Sequence, residues 1–123
     1  MHKVEDLKVW QKSIELTKQV YRIVAELPDN ERYGLTSQIK RCAVSIPSNI
    51  AEGAGRNSNK EFKYFLGIAN GSSYELHTQL ILVYELNLIE KYKIEDILNL
   101  IIEIQKMIYS FQRSLEAHLN SQY

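Results

Sequence analysis

The stretch from Ser37 to Phe62, SQIKRCAVSIPSNIAEGAGRNSNKEF, constrains the fold most, because it holds the end of one helix and the start of another. Apolar residues recur in its first half at steps of three and four, which is typical of one face of a helix. Pro47 falls inside this pattern and removes a backbone donor, at a cost of about 3 kcal/mol, so it kinks or ends the helix. Because Ile50 continues the apolar face, we predict a kink near Pro47.

A short polar break follows this helix. Gly53 and Gly55 are predicted to supply backbone freedom there, since glycine adopts conformations that other residues avoid. Ser58 and Glu61 then stand three residues apart, which is the spacing of a capping box. The sequence therefore predicts a new helix capped by Ser58.

The first segment, from Asp6 as a predicted N-cap to Leu27, is apolar on two faces. Two interpretations remain open: a single wide core face, or one face that meets another subunit. The two stripes are Leu7, Trp10, Ile14, Thr17, Tyr21 and Val24 on one side, and Val9, Leu16, Val20, Ile23 and Leu27 on the other.

The third segment runs from Ser58 to about Leu86, and a fourth begins after a turn at residues 90–93. Gly67 and Gly71 lie one turn apart on the third, and we predict that they allow close helix packing. Short links between long helices favour antiparallel neighbours. We therefore predict one all-α domain over residues 1–123, an antiparallel up-down four-helix bundle whose second helix is kinked near Pro47.

Composition excludes several classes of protein. The 15 basic and 15 acidic residues cancel, so any attraction to a polyanion must be local. The single cysteine, Cys42, lies on a core face, where we expect a buried structural thiol. No signal peptide or membrane span is expected, and a cytoplasmic protein without membrane partners is predicted.

Two long runs of the chain carry a family resemblance. The run YGLTSQIKRCAVSIPSNIAEGAGRNSNKEFKYFLGIANGSSYEL and the preceding DLKVWQKSIELTKQVY resemble the four-helix-bundle family encoded in intervening sequences of bacterial 23S rRNA genes. They are also similar to the accessory variability proteins of diversity-generating retroelements. Lys40, Arg41 and Cys42 stand where a dibasic pair followed by alanine is usual, so the basic character is kept. The resemblance implies an up-down bundle, often a ring of five subunits, with a basic surface proposed to contact RNA or DNA and no enzyme activity.

One catalytic pattern competes with this expectation. Arg113 and His118 have the Arg, four residues, His spacing of the all-helical HEPN ribonucleases, in which arginine holds a phosphate and histidine transfers a proton. The spacing arises readily by chance, and basic residues also suit a helix C-terminus. The histidines lie far apart in sequence and no metal-binding motif is present, so we predict no metal, no cofactor and no small-molecule substrate.

A basic group around the break is the better candidate site. Five cations face two carboxylates, Glu52 and Glu61, in this part of a neutral chain. Helix N-termini and basic side chains bind phosphates without reading sequence. We therefore predict a non-enzymatic homo-oligomer, a pentamer by resemblance, that binds RNA or DNA, with a protein–protein scaffold or a HEPN-like ribonuclease as alternatives. The candidate nucleic-acid-binding residues are Lys40, Arg41, Arg56, Lys60 and Lys63.

Overall fold

Four α-helices form most of the chain. A computed structural model describes residues 3–121, with side chains as far as residue 117, and this range contains no β-strand. The predicted all-α class with four helices is confirmed. The helices are α1 (Lys8–Val24), α2 (Leu35–Ala54), α3 (Asn59–Glu85) and α4 (Glu95–Ser121), and short 3₁₀ turns lie at Val4–Asp6, Asp29–Glu31 and Lys91–Lys93.

The helices surround a single apolar core. Leu16, Ile46, Leu76 and Ile101, one from each helix, are fully buried in it. Burial of a side chain of this size stabilises the fold by about 1.5–3 kcal/mol. The centre is filled mainly with apolar side chains, and the buried polar residues among those described are Ser13, Ser73 and Gln79.

Helices α1 and α4 contact each other in opposite chain order. Helix α1 packs on α2 and α4, and α3 also packs on α2 and α4. Lys12 near the start of α1 pairs with Glu103 of α4 at 2.8 Å, whereas Glu26 just after α1 pairs with Lys93 just before α4 at 2.9 Å. Residue numbers thus rise along α1 as they fall along α4.

Helix α2 continues through its proline. Pro47 lies inside the helix, is buried and leaves α2 unbroken as far as Ala54. The prediction that the helix does not end at Pro47 is therefore confirmed, and the kink stays a prediction.

The turn from α2 to α3 is held by a cap and by close packing. The backbone N–H of Glu61 donates to Oγ of Ser58 at 3.1 Å, which confirms the predicted cap. Gly53 is buried inside α2, and a Cβ there would lie 2.8 Å from side-chain atoms of Phe62 and Phe65. Neither Gly53 nor Gly55 has a positive φ, so backbone freedom was the wrong explanation. Gly53 is instead required because α2 and α3 approach closely.

Two further local predictions were wrong. Leu7, not Asp6, is the N-cap of α1 and makes no side-chain cap hydrogen bond, because Asp6 belongs to the preceding 3₁₀ turn. On α3, an added Cβ at Gly71 would meet nothing within 4 Å, and one at Gly67 only Nε2 of Gln112 at 3.5 Å. Close packing at these two glycines therefore does not occur among the described residues.

Candidate nucleic-acid interface

The five predicted cations fall into two groups. Arg56, Lys60 and Lys63 lie at the turn between α2 and α3, and we call them the turn group. Lys40 and Arg41 lie near the start of α2. On a helix that rises 1.5 Å per residue, Arg41 and Ala54, the last residue of α2, are separated by about 20 Å. The structure therefore does not bring all five side chains to one end of the bundle.

Arg56 is committed to partners within its own turn. Its guanidinium contacts Glu52 Oε1 at 3.1 Å and Glu61 Oε2 at 3.6 Å. The guanidinium carbon also lies 4.8 Å from the centroid of the Phe65 ring, which is cation–π distance. Arg56 thus closes the turn between the two helices, and two carboxylates offset its charge.

The two lysines of the turn group differ. Lys63 Nζ contacts Glu116 Oε2 of α4 at 3.3 Å. Lys60 is exposed and lies within ion-pair distance of no described carboxylate. The three cations of the turn group therefore face three carboxylates, and Lys60 is the one left available to an external phosphate.

Lys40 and Arg41 point to opposite sides of α2. Lys40 Nζ lies 5.0 Å from the centroid of the Tyr21 ring on α1. Arg41 is exposed and lines a pocket between α2 and α3, with Ser72 and Glu75 on the α3 side. No described carboxylate reaches Arg41 at ion-pair distance, so it is the second cation available to an external anion.

Two cations that the sequence analysis passed over lie beside Lys40. Lys18 and Arg22 of α1 flank Tyr21 at the edge of an apolar groove between α1 and α2. Lys18 also contacts Glu15 of its own helix at 3.6 Å. A four-residue step between two cations, which places them on one helix face, was the sequence signal that indicated this basic edge.

Free cations on exposed helices act through charge. Arginine and lysine donors position a phosphate backbone but do not read base edges unless they reach into a groove. Arg41 and Lys60 each offer one such contact. The described surface is therefore suited to weak, sequence-independent binding.

Arg113 and Cys42, two chemistry-bearing residues outside the cation groups, have structural partners. Nη1 of Arg113 donates to the Tyr109 hydroxyl at 3.3 Å, and the side chain of His118, its predicted catalytic partner, lies outside the described residues. Cys42 is buried and donates to the carbonyl of Ser72 at 3.0 Å. Burial, with the nearby Glu75 carboxylate, raises the pKa of the Cys42 thiol to about 11. This thiol is a poor nucleophile at neutral pH.

Metal centres and membrane spans are two other classes of site. Within residues 3–121, whose side chains are described as far as residue 117, no group of three or more histidine, cysteine, aspartate or glutamate side chains is arranged to hold a metal ion. In the same range, no helix combines the length and apolarity needed to cross a membrane.

Comparison with known proteins gives a family. The model of the 23S rRNA-intervening sequence protein family matches residues 5–110. The chain is also similar to a protein of unknown function from the S23 ribosomal protein family of Bacteroides thetaiotaomicron, known from a crystal structure. The two share 29% identity and superpose with a TM-score of 0.78, over 85% of this chain and 97% of that one. No curated protein matches the chain.

Proposed function

Because the chain belongs to the 23S rRNA-intervening sequence protein family, we propose that it is a non-enzymatic, cytoplasmic accessory protein that binds RNA or DNA as a homo-oligomer. The observation that carries the proposal is the pair of exposed cations, Arg41 and Lys60, that no described carboxylate neutralises. Each would contact a backbone phosphate. The resemblance implies assembly as a ring of five.

Assembly would make this small patch effective. A single subunit offers two unpaired cations among the candidate residues, and two phosphate contacts give only weak binding. A ring repeats the pair on every subunit, and linked sites raise the overall affinity without any new contact. The oligomer, not the monomer, is therefore the nucleic-acid-binding unit in this proposal.

The test is binding of labelled single-stranded RNA and duplex DNA over a range of salt concentrations. Arg41→Ala and Lys60→Ala should each weaken binding of both nucleic acids and lower the salt slope by about one for each phosphate that the variant no longer binds. Lys106→Ala is the matched control, because Lys106 is exposed on α4 and belongs to neither cation group. Oligomer mass is measured for every variant, so that weaker binding is not confused with loss of assembly.

The same salt titration also defines the results that would contradict the proposal. Wild-type protein that does not bind at low salt, or binding unchanged in both Arg41→Ala and Lys60→Ala, would contradict nucleic-acid binding at these residues. An effect of Lys106→Ala as large as theirs would indicate a diffuse charge effect rather than a site.

A second candidate function is a protein–protein scaffold. It is favoured by the ion pairs of Arg56 and Lys63, which cancel most of the charge at the turn. A scaffold predicts a stable oligomer that shows no salt-dependent binding to nucleic acid. The same titration, read together with the oligomer mass, therefore separates the two functions.

A further inference from the structure

Helix α1 leaves one of its two apolar stripes partly uncovered. The stripe that contains Leu16 and Val20 is buried in the core. On the other, Trp10 and Ile14 are only half-buried, and Tyr21 is 43% exposed. This stripe borders a groove between α1 and α2. We call it the α1–α2 groove, and it is lined by Ile14, Thr17, Lys18, Tyr21, Arg22 and Val44.

The edge of the α1–α2 groove is basic. Lys18 and Arg22 lie on the α1 side, and Lys40 lies over the Tyr21 ring from the α2 side. Glu15 is the carboxylate in contact with this edge, through Lys18 at 3.6 Å. A partner that fills this groove should therefore present apolar side chains with carboxylates beside them.

The outer face of α3 has the complementary composition. Its exposed residues recur at steps of three and four, and no lysine or arginine lies between Lys63 and Lys91. Leu82 is 45% exposed on this face, Glu85 is exposed beside it, and Glu75 is exposed at the edge of the face that borders the pocket of Arg41. We call it the α3 stripe, and it consists of Ile68, Gly71, Glu75, Thr78, Leu82 and Glu85.

A glycine on the α3 stripe is not explained by packing within the described chain. An added Cβ at Gly71 would meet nothing within 4 Å. Glycine in a helix interior costs about 1 kcal/mol relative to alanine. Gly71 suits a surface that another helix approaches closely, but the stronger indication of an interface is the pattern of charged and apolar residues on α3.

We infer that the α3 stripe of one copy of this chain occupies the α1–α2 groove of a second copy. The inference rests on the homo-oligomer of the proposed function and names its interface. Glu75 and Glu85 would then lie against Arg22 and Lys40, while Leu82 packs on the apolar floor. Lys40 is thereby assigned to assembly rather than to phosphate binding.

This interface is heterologous, because the two surfaces differ. Each copy that uses its stripe still has a free groove, so assembly continues until a ring closes. Helix α1 packs on α2 and α4, which leaves α3 at the diagonal corner of the bundle. The groove and the stripe are therefore on separate sides of one subunit and can be occupied at the same time.

Charge reversal on each surface tests the interface. The groove-reversed chain carries Arg22→Glu and Lys40→Glu, and the stripe-reversed chain carries Glu75→Lys and Glu85→Lys. Each should need at least about tenfold more protein for half-assembly, because like charges then face each other. A chain with all four changes should recover wild-type assembly. Mass is measured by light scattering and sedimentation across a dilution series of the full chain.

The matched control reverses charges away from both surfaces. Asp96→Lys and Lys106→Glu, both exposed on α4, make the same kinds of charge change and should leave the mass unchanged. Far-ultraviolet circular dichroism reports whether each variant keeps its helices. If a reversed chain loses them, Leu82→Ser and Val44→Ser replace it, because both side chains are already more than 40% exposed.

Each outcome has a defined meaning. Dissociation of both reversed chains with recovery in the four-fold variant supports the interface. An oligomer whose mass is unchanged by either reversal overturns the interface and leaves the proposed homo-oligomer standing. A wild-type chain that is monomeric overturns both the interface and the homo-oligomer. If both reversed chains dissociate and the four-fold variant is folded but does not assemble, the pairing of these charges is rejected.

Discussion

A methyl group added at residue 53 tests the close approach of α2 and α3. In Gly53→Ala, the new Cβ would lie 2.8 Å from Phe62 Cδ1, 2.8 Å from Phe65 Cβ and 3.2 Å from the Phe62 carbonyl oxygen. Phe62 is 2% exposed and its ring is tilted against the Phe111 ring, with the two centroids 5.0 Å apart, so it has little room to move away. Relief of this crowding requires a shift of one helix relative to the other.

The magnitude follows from two opposing terms. Overpacking of a core costs about 1–3 kcal/mol. Alanine regains up to about 1 kcal/mol of helix propensity, and less at residue 53, which is the last but one residue of α2. We expect Gly53→Ala to lower the free energy of unfolding by about 1–2 kcal/mol.

Gly55→Ala is the matched control two residues further on. Its Cβ would meet carbonyl oxygens of Ala51 and Glu52 at 3.6 and 3.7 Å, which is ordinary contact, and its φ of −83° suits any residue. We expect a change within about 0.5 kcal/mol. If both glycines served backbone freedom, both substitutions would destabilise the protein.

The assay is urea unfolding followed by circular dichroism. All variants are compared at one protein concentration, because the apparent stability of an assembling protein depends on concentration. Gly53→Ala as stable as the wild type would refute the close approach of the two helices.

Single side chains support three further predictions. Ser58→Ala should lower the free energy of unfolding by about 1 kcal/mol, because α3 loses its N-cap. Ser48 is exposed within α2, so Ser48→Ala should change the stability little. Equal effects of the two substitutions on thermal unfolding would contradict the cap. Because the pKa of Cys42 rises from 9.0 to about 11 on folding, iodoacetamide at pH 8 should modify the native thiol about 100-fold more slowly than the thiol in urea. For the same reason, the free energy of unfolding should fall as the pH rises from about 9 to 11. Equal modification rates in the native and unfolded states would contradict burial of the thiol. The wild-type chain should not cleave labelled RNA, and cleavage that His118→Ala abolishes would establish the ribonuclease alternative.

The sequence alone was sufficient to predict four helices and the family, although it placed the N-cap of α1 at the wrong residue. Helix limits follow from apolar periodicity and local hydrogen bonding, so α3 was predicted from Ser58 to about Leu86 and is observed at Asn59–Glu85. The Ser58 cap was predictable for the same reason, since its donor and acceptor are three residues apart. The family resemblance rested on two long runs of residues, and the family match over residues 5–110 confirms it.

The arrangement of charges at the candidate site was decided only by the tertiary structure. Five cations close in sequence suggested one basic surface, but α2 carries Lys40 and Arg41 about 20 Å away from the turn. Lys63 is neutralised by Glu116, which lies 53 residues further along the chain. No local pattern could reveal such a partner, because ion pairs between helices depend on which faces pack together.

The roles of Gly53 and Gly71 were also decided by the tertiary structure and not by the sequence. The sequence predicted backbone freedom for Gly53, in the break after α2, and close helix packing for Gly71, on α3. Gly53 lies against the Phe62 and Phe65 side chains of α3, whereas an added Cβ at Gly71 would meet open space. Steric room around a Cβ is a property of the neighbouring helix, so only the packed bundle decides which glycine is needed for folding.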